Sequence, residues 1–386
     1  MGYKKFSADQ LFDGYKMLNR ESVLVLSDEG VVDNIIPIRD AGDGMEYHEG
    51  IISPGFINCH CHLELSHMKG LIPQHTGLTD FVFQVIRDRH FPEENILDAI
   101  DKAENQMIEA GIVAVGDICN NLLTIPQKKR KKIHYHNFIE ASGFSPQVAD
   151  QRFQQALNIF NQYATLYPEP AMSNSIVPHA PYSVADELWQ KIIHFPGNHL
   201  MTIHNQETED ENKLFIEGTG KFLDLYQRIN IDISSFRPTG RSSLQSYLNL
   251  FSSQQPLIAV HNVYTSAEDI WFAKSSGKTV YWCFCPNANQ YITGKLPAID
   301  LFMTEDKDIV LGTDSLASNQ QLSILAEMET IYKHFPSVTV ESLFKWATIN
   351  GAKALQMERL LGSFEPGKKP GVILIEPGLT AVKRLM

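Results

Sequence analysis

The sequence predicts an α/β fold, a (β/α)8 TIM barrel with a small β-sandwich built from its N- and C-terminal segments. Three observations predict it. Apolar strand-like runs alternate with helical patterns, eight such runs can be followed along the 386 residues, and histidines or an aspartate stand at or just after several of their ends. Alternating strands and helices build parallel βαβ units. Eight units close into a barrel whose polar residues at the strand C-terminal ends face the active site. A doubly wound open sheet is the alternative, but the chain has no G-x-G-x-x-G and no Walker A sequence.

The elements follow in order. Ile57 to His62 is the first strand, and Leu97 to Ala110 keeps helical spacing with Gly111 just past its end. Ile112 to Asp117 and His134 to Ala141 are the next strands. SIVPHAPYS, Ser175 to Ser183, leads into the helical VADELWQKII, and LMTIHNQE, Leu200 to Glu207, leads into an acidic helix start. Leu257 to Val263 precedes a helix that Ser266 and Asp269 suit as cap and first turn. Thr279 to Pro286 and Asp308 to Ser315 complete the eight, and helices follow near Gln321 to His334 and Val340 to Leu355. At the ends, Ser22 to Ile38 reads as short strands with a turn at Asp28 to Gly30, and Gly371 to Gly378 as one more strand. Residues 1–52 and 363–386 are therefore expected to pair beside a barrel of residues 53–362.

Composition narrows the function. A net charge of −12 argues against general affinity for nucleic-acid phosphates. The one basic run, KKRKK at Lys128 to Lys132, reads as a solvated loop before a strand. No stretch approaches the roughly 20 apolar residues that span a bilayer, and MGYKKFSADQ lacks the apolar region of a signal peptide. The five cysteines, an odd number in a large chain, argue against a disulfide framework, so a reducing cytoplasm is the expected compartment.

The chemistry gathers on histidine. His60 and His62 are two apart on a strand, so both point to one face. His204, His261 and Asp314 end later strands. Three imidazoles and a carboxylate suit Zn²⁺ or Fe²⁺ with water in an open position, and a metal so held brings the pKa of that water toward about 7. Cys61, between the two histidines, points the other way and reads as packing, as does Cys59.

These motifs resemble the amidohydrolase superfamily, in particular its mononuclear metal-dependent aminohydrolase branch. That branch includes guanine, cytosine and S-adenosylhomocysteine deaminases, aminodeoxyfutalosine deaminases and chlorotriazine hydrolases. The resemblance rests on PGFINCHCHLE (Pro54 to Glu64), HAPYS (His179 to Ser183), HNQE (His204 to Glu207), VHNVY (Val260 to Tyr264), CPNANQYI (Cys285 to Ile292) and LGTDS (Leu311 to Ser315). It extends to GSFEPGKKPGVILIE (Gly362 to Glu376) and so runs over nearly the whole chain in the right order. Pro370 and Gly371 stand where the family usually has an acidic residue, and the region before Ser53 lacks the usual D-G-x-I signature. HCHLELS with HAPYS is similar above all to the aminodeoxyfutalosine deaminase-like group.

The resemblance implies that His60, His62, His204 and Asp314 bind one divalent metal, zinc before iron. It implies that His261 hydrogen-bonds the bound hydroxide or the substrate and that Glu207 is the proton shuttle. Asp314 would take a proton from metal-bound water, hydroxide would attack a ring carbon bearing an amino group, and Glu207 would protonate the ring nitrogen as ammonia leaves. Binuclear relatives use a bridging lysine on the fourth strand; here Lys191 lies well into the following helix, so one metal is expected. His179 becomes a candidate for substrate binding. Glu64 and His67, in the loop after the first strand, are candidates by the same analogy. Arg237, in RPTGRSSLQSYL, resembles part of a family loop and is a candidate for an anionic group. The implied enzyme is a hydrolytic deaminase of an aminated heteroaromatic ring, a purine base or nucleoside, and the implied assembly is a homodimer acting on a small molecule with no nucleic acid or membrane partner. Hydrolysis of a cyclic amide or a C–Cl bond at the same site is the enzymatic alternative, and a non-catalytic ligand-binding protein is the other class.

Overall fold

Every residue of the strands Ile112–Cys119, Asn174–Pro178, Met201–Asn205 and Leu257–His261 is buried. A strand apolar on both faces has to be covered on both faces, which is the condition of a parallel sheet under helices. The computed structural model describes residues 2–166, 173–305 and 308–386, and in it all eight expected runs form strands. The other four are Phe56–Cys61, His134–Ala141, Val280–Phe284 and Ile309–Leu311.

Each strand pairs in parallel with the next, in two ladders of four strands. The ladders meet at two seams, joined by one and by two backbone bonds. Between the fourth and fifth strands, the His204 N–H donates to the His179 carbonyl at 3.0 Å. Between the eighth and the first, the Thr313 and Asp314 N–H groups donate to the His60 carbonyl at 2.9 and 3.1 Å. This is the arrangement of a (β/α)8 barrel, in agreement with the sequence.

The boundaries shift for local reasons. The fifth strand stops at Asn205 rather than Glu207, because Gln206 takes the left-handed conformation at φ 45°. The fourth stops at Pro178, and Pro181–Ser183 turns as a 3-10 helix. The helix expected from Leu97 begins earlier, as Glu93–Glu109: Pro92 precedes it and Glu93 and Glu94 fill its first turn, where acids complement the dipole. Ser266 caps Ala267–Ser275 as expected; its Oγ accepts the Asp269 N–H at 3.2 Å, and Asp269 accepts the Ser266 N–H at 3.1 Å. The last predicted helix contains a π segment, Trp346–Asn350, between Val340–Lys345 and Gly351–Ala354. Gly351 lies so close to the first strand that a Cβ there would stand 2.7 Å from the Ile57 Cβ.

The terminal segments form one seven-stranded sheet. Its order is Val382–Arg384, Val372–Ile375, Met45–Pro54, Tyr3–Phe12, Ser22–Ser27, Val32–Pro37, with Met17–Asn19 also paired to Tyr3–Phe12. Phe6, Leu24, Leu26, Ile52, Val372 and Leu374 pack on one another beneath it.

The basic run corrects one expectation. Lys129 to Lys132 are exposed, but Lys128 is buried. Its Nζ lies 2.5 Å from Asp117 Oδ2 and donates to Asn137 Oδ1 at 2.7 Å, with the Tyr135 and Tyr163 rings 4.8 and 5.0 Å away. Burial works to discharge this amine, but Asp117 outweighs it and holds the pKa above the usual lysine value. A run of like charge does not reveal that its first residue turns inward on a short helix, Ile125–Lys128.

Candidate metal-dependent active site

The strand ends converge on one buried cluster. His60 is inside the first strand and His62 directly follows it, and alternation carries both to the barrel axis. Their Nε2 atoms lie 3.6 and 3.4 Å from Asp314 Oδ1. His204 Nδ1 is 3.2 Å from His261 Nε2, which in turn is 3.6 Å from Glu207 Oε2. The His60 and His204 rings meet edge to face with centroids 4.8 Å apart. His261, Asn262 and Asp314 join Gln206 at positive φ, 77°, 58°, 56° and 45°. Non-glycine residues rarely adopt that conformation, and its concentration at one rim marks backbone held for a purpose.

Close packing extends to the support. A Cβ at Gly312 would stand 2.8 Å from the His60 Cβ and 2.9 Å from Cys283 Sγ, so only glycine lets the eighth strand approach His60 this closely. Ser318 donates to Asp314 Oδ2 at 2.6 Å and leaves Oδ1 toward the histidines. Cys59 and Cys61 are buried; the Cys59 thiol faces the Gly351 carbonyl at 3.8 Å, on the helix side.

The donor set fits a divalent cation. Ligand atoms of His60, His62 and Asp314 all lie within 4.8 Å of one another, as do those of His60, His204 and His261. Both ring nitrogens of His60 and the Nε2 of His204 are buried without a hydrogen-bond partner. Buried polar atoms are seldom left so, and an unpartnered His60 ring among these donors has the chemistry that a divalent cation's ligand set needs. Burial lowers the His60 pKa to about 3, so its ring is neutral and able to ligate. Burial also works to raise the Asp314 pKa, but His60, His62 and His261 outweigh it and keep the carboxylate ionised. Glu207 goes the opposite way: burial raises it to about 8, and its Oε1 is buried without a partner. One carboxylate kept charged beside one kept protonated is the pairing that acid–base chemistry needs at neutral pH.

A cavity of about 450 Å³ opens on this cluster. His62, His179, His204, Glu207, His261 and Asp314 line its polar floor; Leu78, Phe81, Val85, Leu225 and Tyr226 line its apolar wall. This is the form of a small-molecule site. No helix among the described residues is long and apolar enough to cross a membrane.

The remaining candidates divide. His179 lines the cavity, its Nδ1 2.8 Å from Ser183 Oγ. Glu64 does not line it. Its Oε1 accepts from Arg89 Nη2 at 2.8 Å and its Oε2 from the Asn120 N–H at 2.9 Å; Arg89 and Asn120 themselves reach the cavity. His67 turns away to the Arg89 carbonyl at 3.0 Å, and Arg237 is exposed and bonded to the Ser234 and Phe236 carbonyls at 2.7 Å. Lys191 pairs with Asp150 at 2.6 Å, on the helix Asp186–Ile193 and away from the fourth strand end.

Glu140, absent from the sequence reading, lines the cavity near the end of the third strand, its Oε1 3.4 Å from His204 Nε2. Burial works to raise its pKa, but His179 and His204 outweigh it and hold the carboxylate charged. Its only sequence signal is that it is the one acid in the strand run HYHNFIEA.

Comparison with known proteins places the chain among related enzymes. A 5-methylthioadenosine/S-adenosylhomocysteine deaminase of Teredinibacter turnerae is 28% identical over 343 residues, 84% of this chain and 72% of the relative. An adenosine deaminase of Helicobacter pylori is 26% identical over 370 residues, 91% of this chain and 88% of the relative. An aminodeoxyfutalosine deaminase of Nitratiruptor sp. is 25% identical over 371 residues, 92% and 86% of the two chains. Among solved structures, Helicobacter pylori aminofutalosine deaminase in complex with methylthio-coformycin shares the fold at a TM-score of 0.83 and 22% identity, over 97% of this chain and 92% of that one. The amidohydrolase family model matches residues 51–384, the barrel and the C-terminal strands of the sheet, and the chain belongs to that family.

Proposed function

We propose that this protein is a metal-dependent hydrolytic deaminase of an aminated heteroaromatic ring, a purine base or nucleoside, aminodeoxyfutalosine-like compounds included. Glu207 carries the reading: a buried carboxyl raised to about 8, with a free oxygen, beside the cation donors on the floor of the cavity. An exocyclic amine on such a ring leaves poorly until a ring nitrogen is protonated and the carbon becomes tetrahedral. A positioned carboxylic acid supplies that proton. Deaminases of adenosine-type and aminodeoxyfutalosine substrates among the relatives support the same class.

In this reading His60, His62, His204 and Asp314 hold one divalent ion, zinc in the first instance. Bound there, such an ion acts as a Lewis acid and lowers the pKa of water toward about 7. Asp314, ionised and tethered by Ser318, accepts the proton of the attacking water. Glu207 gives its proton to the ring nitrogen as the carbon–oxygen bond forms; Asp314 then passes the proton it took from water to the departing amine, the added hydroxyl returns a proton to Glu207 as it becomes a carbonyl, and ammonia leaves. His261 lies 3.6 Å from Glu207 and donates to the oxygen that adds to the ring. His179, on the cavity wall, contacts the substrate.

The test is ammonia release from protein of known metal content. The panel holds adenine nucleosides with varied 5′ groups, aminodeoxyfutalosine, guanine, cytosine and aminotriazines. Release from one class is expected and identifies the ring. Silence across the panel with one metal bound rejects deamination and leaves hydrolysis of a cyclic amide or a C–Cl bond at the same site.

A further inference from the structure

His204 offers both of its ring nitrogens to the interior, and they face different things. Nδ1 lies 3.2 Å from His261 Nε2, inside the cluster. Nε2 lies 3.4 Å from Glu140 Oε1 and is buried without a hydrogen-bond partner. Glu140 is itself held: its Oε2 accepts from Asn120 Nδ2 at 3.1 Å. The Asn120 N–H donates to Glu64 Oε2, and Glu64 Oε1 takes Arg89 Nη2. Four side chains thus run in line from the loop after the first strand to one histidine.

We propose that Glu140 is a positioning residue for the cation: it accepts the Nε2–H of His204 and so turns the Nδ1 lone pair of that ring toward the other ligands. The proposal rests on reading the cluster as a cation site. A ligating histidine ordinarily gives its second N–H to a carboxylate or carbonyl, which fixes the tautomer and the ring plane, and loss of that partner costs roughly 10–100-fold in metal affinity. The same chain of bonds gives Glu64 its task. It is buried with both oxygens engaged, and it fixes the backbone of the asparagine that fixes Glu140.

A second cation on Glu140, His179 and His204 is the competing use of these groups, whose ligand atoms also lie within 4.8 Å of one another. Ser183 takes His179 Nδ1 and Asn120 takes Glu140 Oε2, which leaves His179 Nε2 and Glu140 Oε1, so the zinc stoichiometry separates the two uses.

Zinc affinity and stoichiometry, measured against a chromogenic chelator, test the proposal without any substrate. The proteins are wild type, Glu140→Leu, Glu140→Gln and Asn120→Ala, each checked for folding by its thermal melt. Glu140→Leu is expected to weaken zinc by roughly 10–100-fold. Glu140→Gln, whose amide oxygen still accepts the same N–H, should recover most of that loss, and Asn120→Ala should lose a few-fold, as a rough expectation for a released partner. Unchanged zinc affinity in Glu140→Leu with a raised KM overturns the proposal, because the carboxylate then serves the substrate alone. So does a second zinc equivalent in wild type that Glu140→Leu removes, or a Gln variant as weak as the Leu variant. Should Glu140→Leu fail to fold, wild-type affinity in Asn120→Ala is enough to reject it. Wild type that takes up no zinc rejects the cation reading and this proposal together. Zinc affinity that responds as expected in a protein releasing no ammonia rejects only the deaminase reading.

Discussion

Two groups of charge are buried in this barrel, and they are built on opposite principles. Around Lys128, the amine, the Asp117 carboxylate and the Asn137 amide oxygen meet at hydrogen-bond distance between aromatic rings. None of the three lines the cavity over the histidines, and the backbone of Asp117, Lys128 and Asn137 is not left-handed. Around His60, ring nitrogens stand unpartnered, strand ends take left-handed conformations, and a cavity opens onto the group. A satisfied buried network specifies structure, whereas an unsatisfied one that persists is waiting for a ligand. Burial alone distinguishes neither.

The contrast can be broken at either group. The largest effect is expected from Glu207→Gln, which keeps the shape of the acid and removes its proton: kcat should fall by about 10²–10⁴-fold while metal content stays at the wild-type level. A variant that turns over at full rate removes Glu207 from the chemistry. At the other group, Lys128→Met leaves the buried Asp117 carboxyl without its cation, held only by the Leu63 N–H at 2.9 Å and the Cys119 thiol. Denaturant unfolding should show a loss of about 3–5 kcal/mol, with KM and bound metal per folded chain unaltered. A shift in KM without loss of stability would transfer Lys128 to the functional side of the comparison.

Gly312→Ala falls between the groups in size. The added methyl meets the His60 Cβ and two cysteine sulfurs within 3.0 Å, and overpacking of this kind costs about 1–3 kcal/mol. Because His60 has to move, chelator competition should show weaker metal binding as well as a lower melting temperature. A stability loss with full metal affinity would mean that the strand yields and the histidine does not.

The smallest effect is in pH. Burial raises Glu207 to about 8, so the acid is protonated below that value and loses its proton above it. kcat/KM should therefore decline as pH rises through about 8. A profile flat through that region would show that another group limits the proton transfer.

The parts legible in the sequence are those set by period and by order. Alternation placed His60 and His62 on one face and Cys61 on the other, and strands following helices gave the eight parallel staves. What was not legible depends on which strands become neighbours across the barrel. Glu140 matters because the third strand brings it to within 3.4 Å of a histidine on the fifth. Lys128 looked solvated because a run of like charge carries no sign of the aspartate waiting on the second strand. Glu64, His67 and Arg237 sat in segments of the right kind, but a loop's side chains turn on local bonds. Arg89 claims Glu64, the Arg89 carbonyl claims His67, and neighbouring carbonyls claim Arg237.

The two seams have a mechanical consequence. His60 and His62 belong to the first ladder, and His204 and Asp314 to the second or its extension. An ion bound by all four would tie together two half-shells whose ladders are joined at each seam by one or two backbone bonds, with the Asn58–Thr313 bonds and a shared apolar core beside them. Chelation would then do more than disarm the chemistry: it would loosen the seams, and proteases should cut the stripped protein there faster than the loaded one.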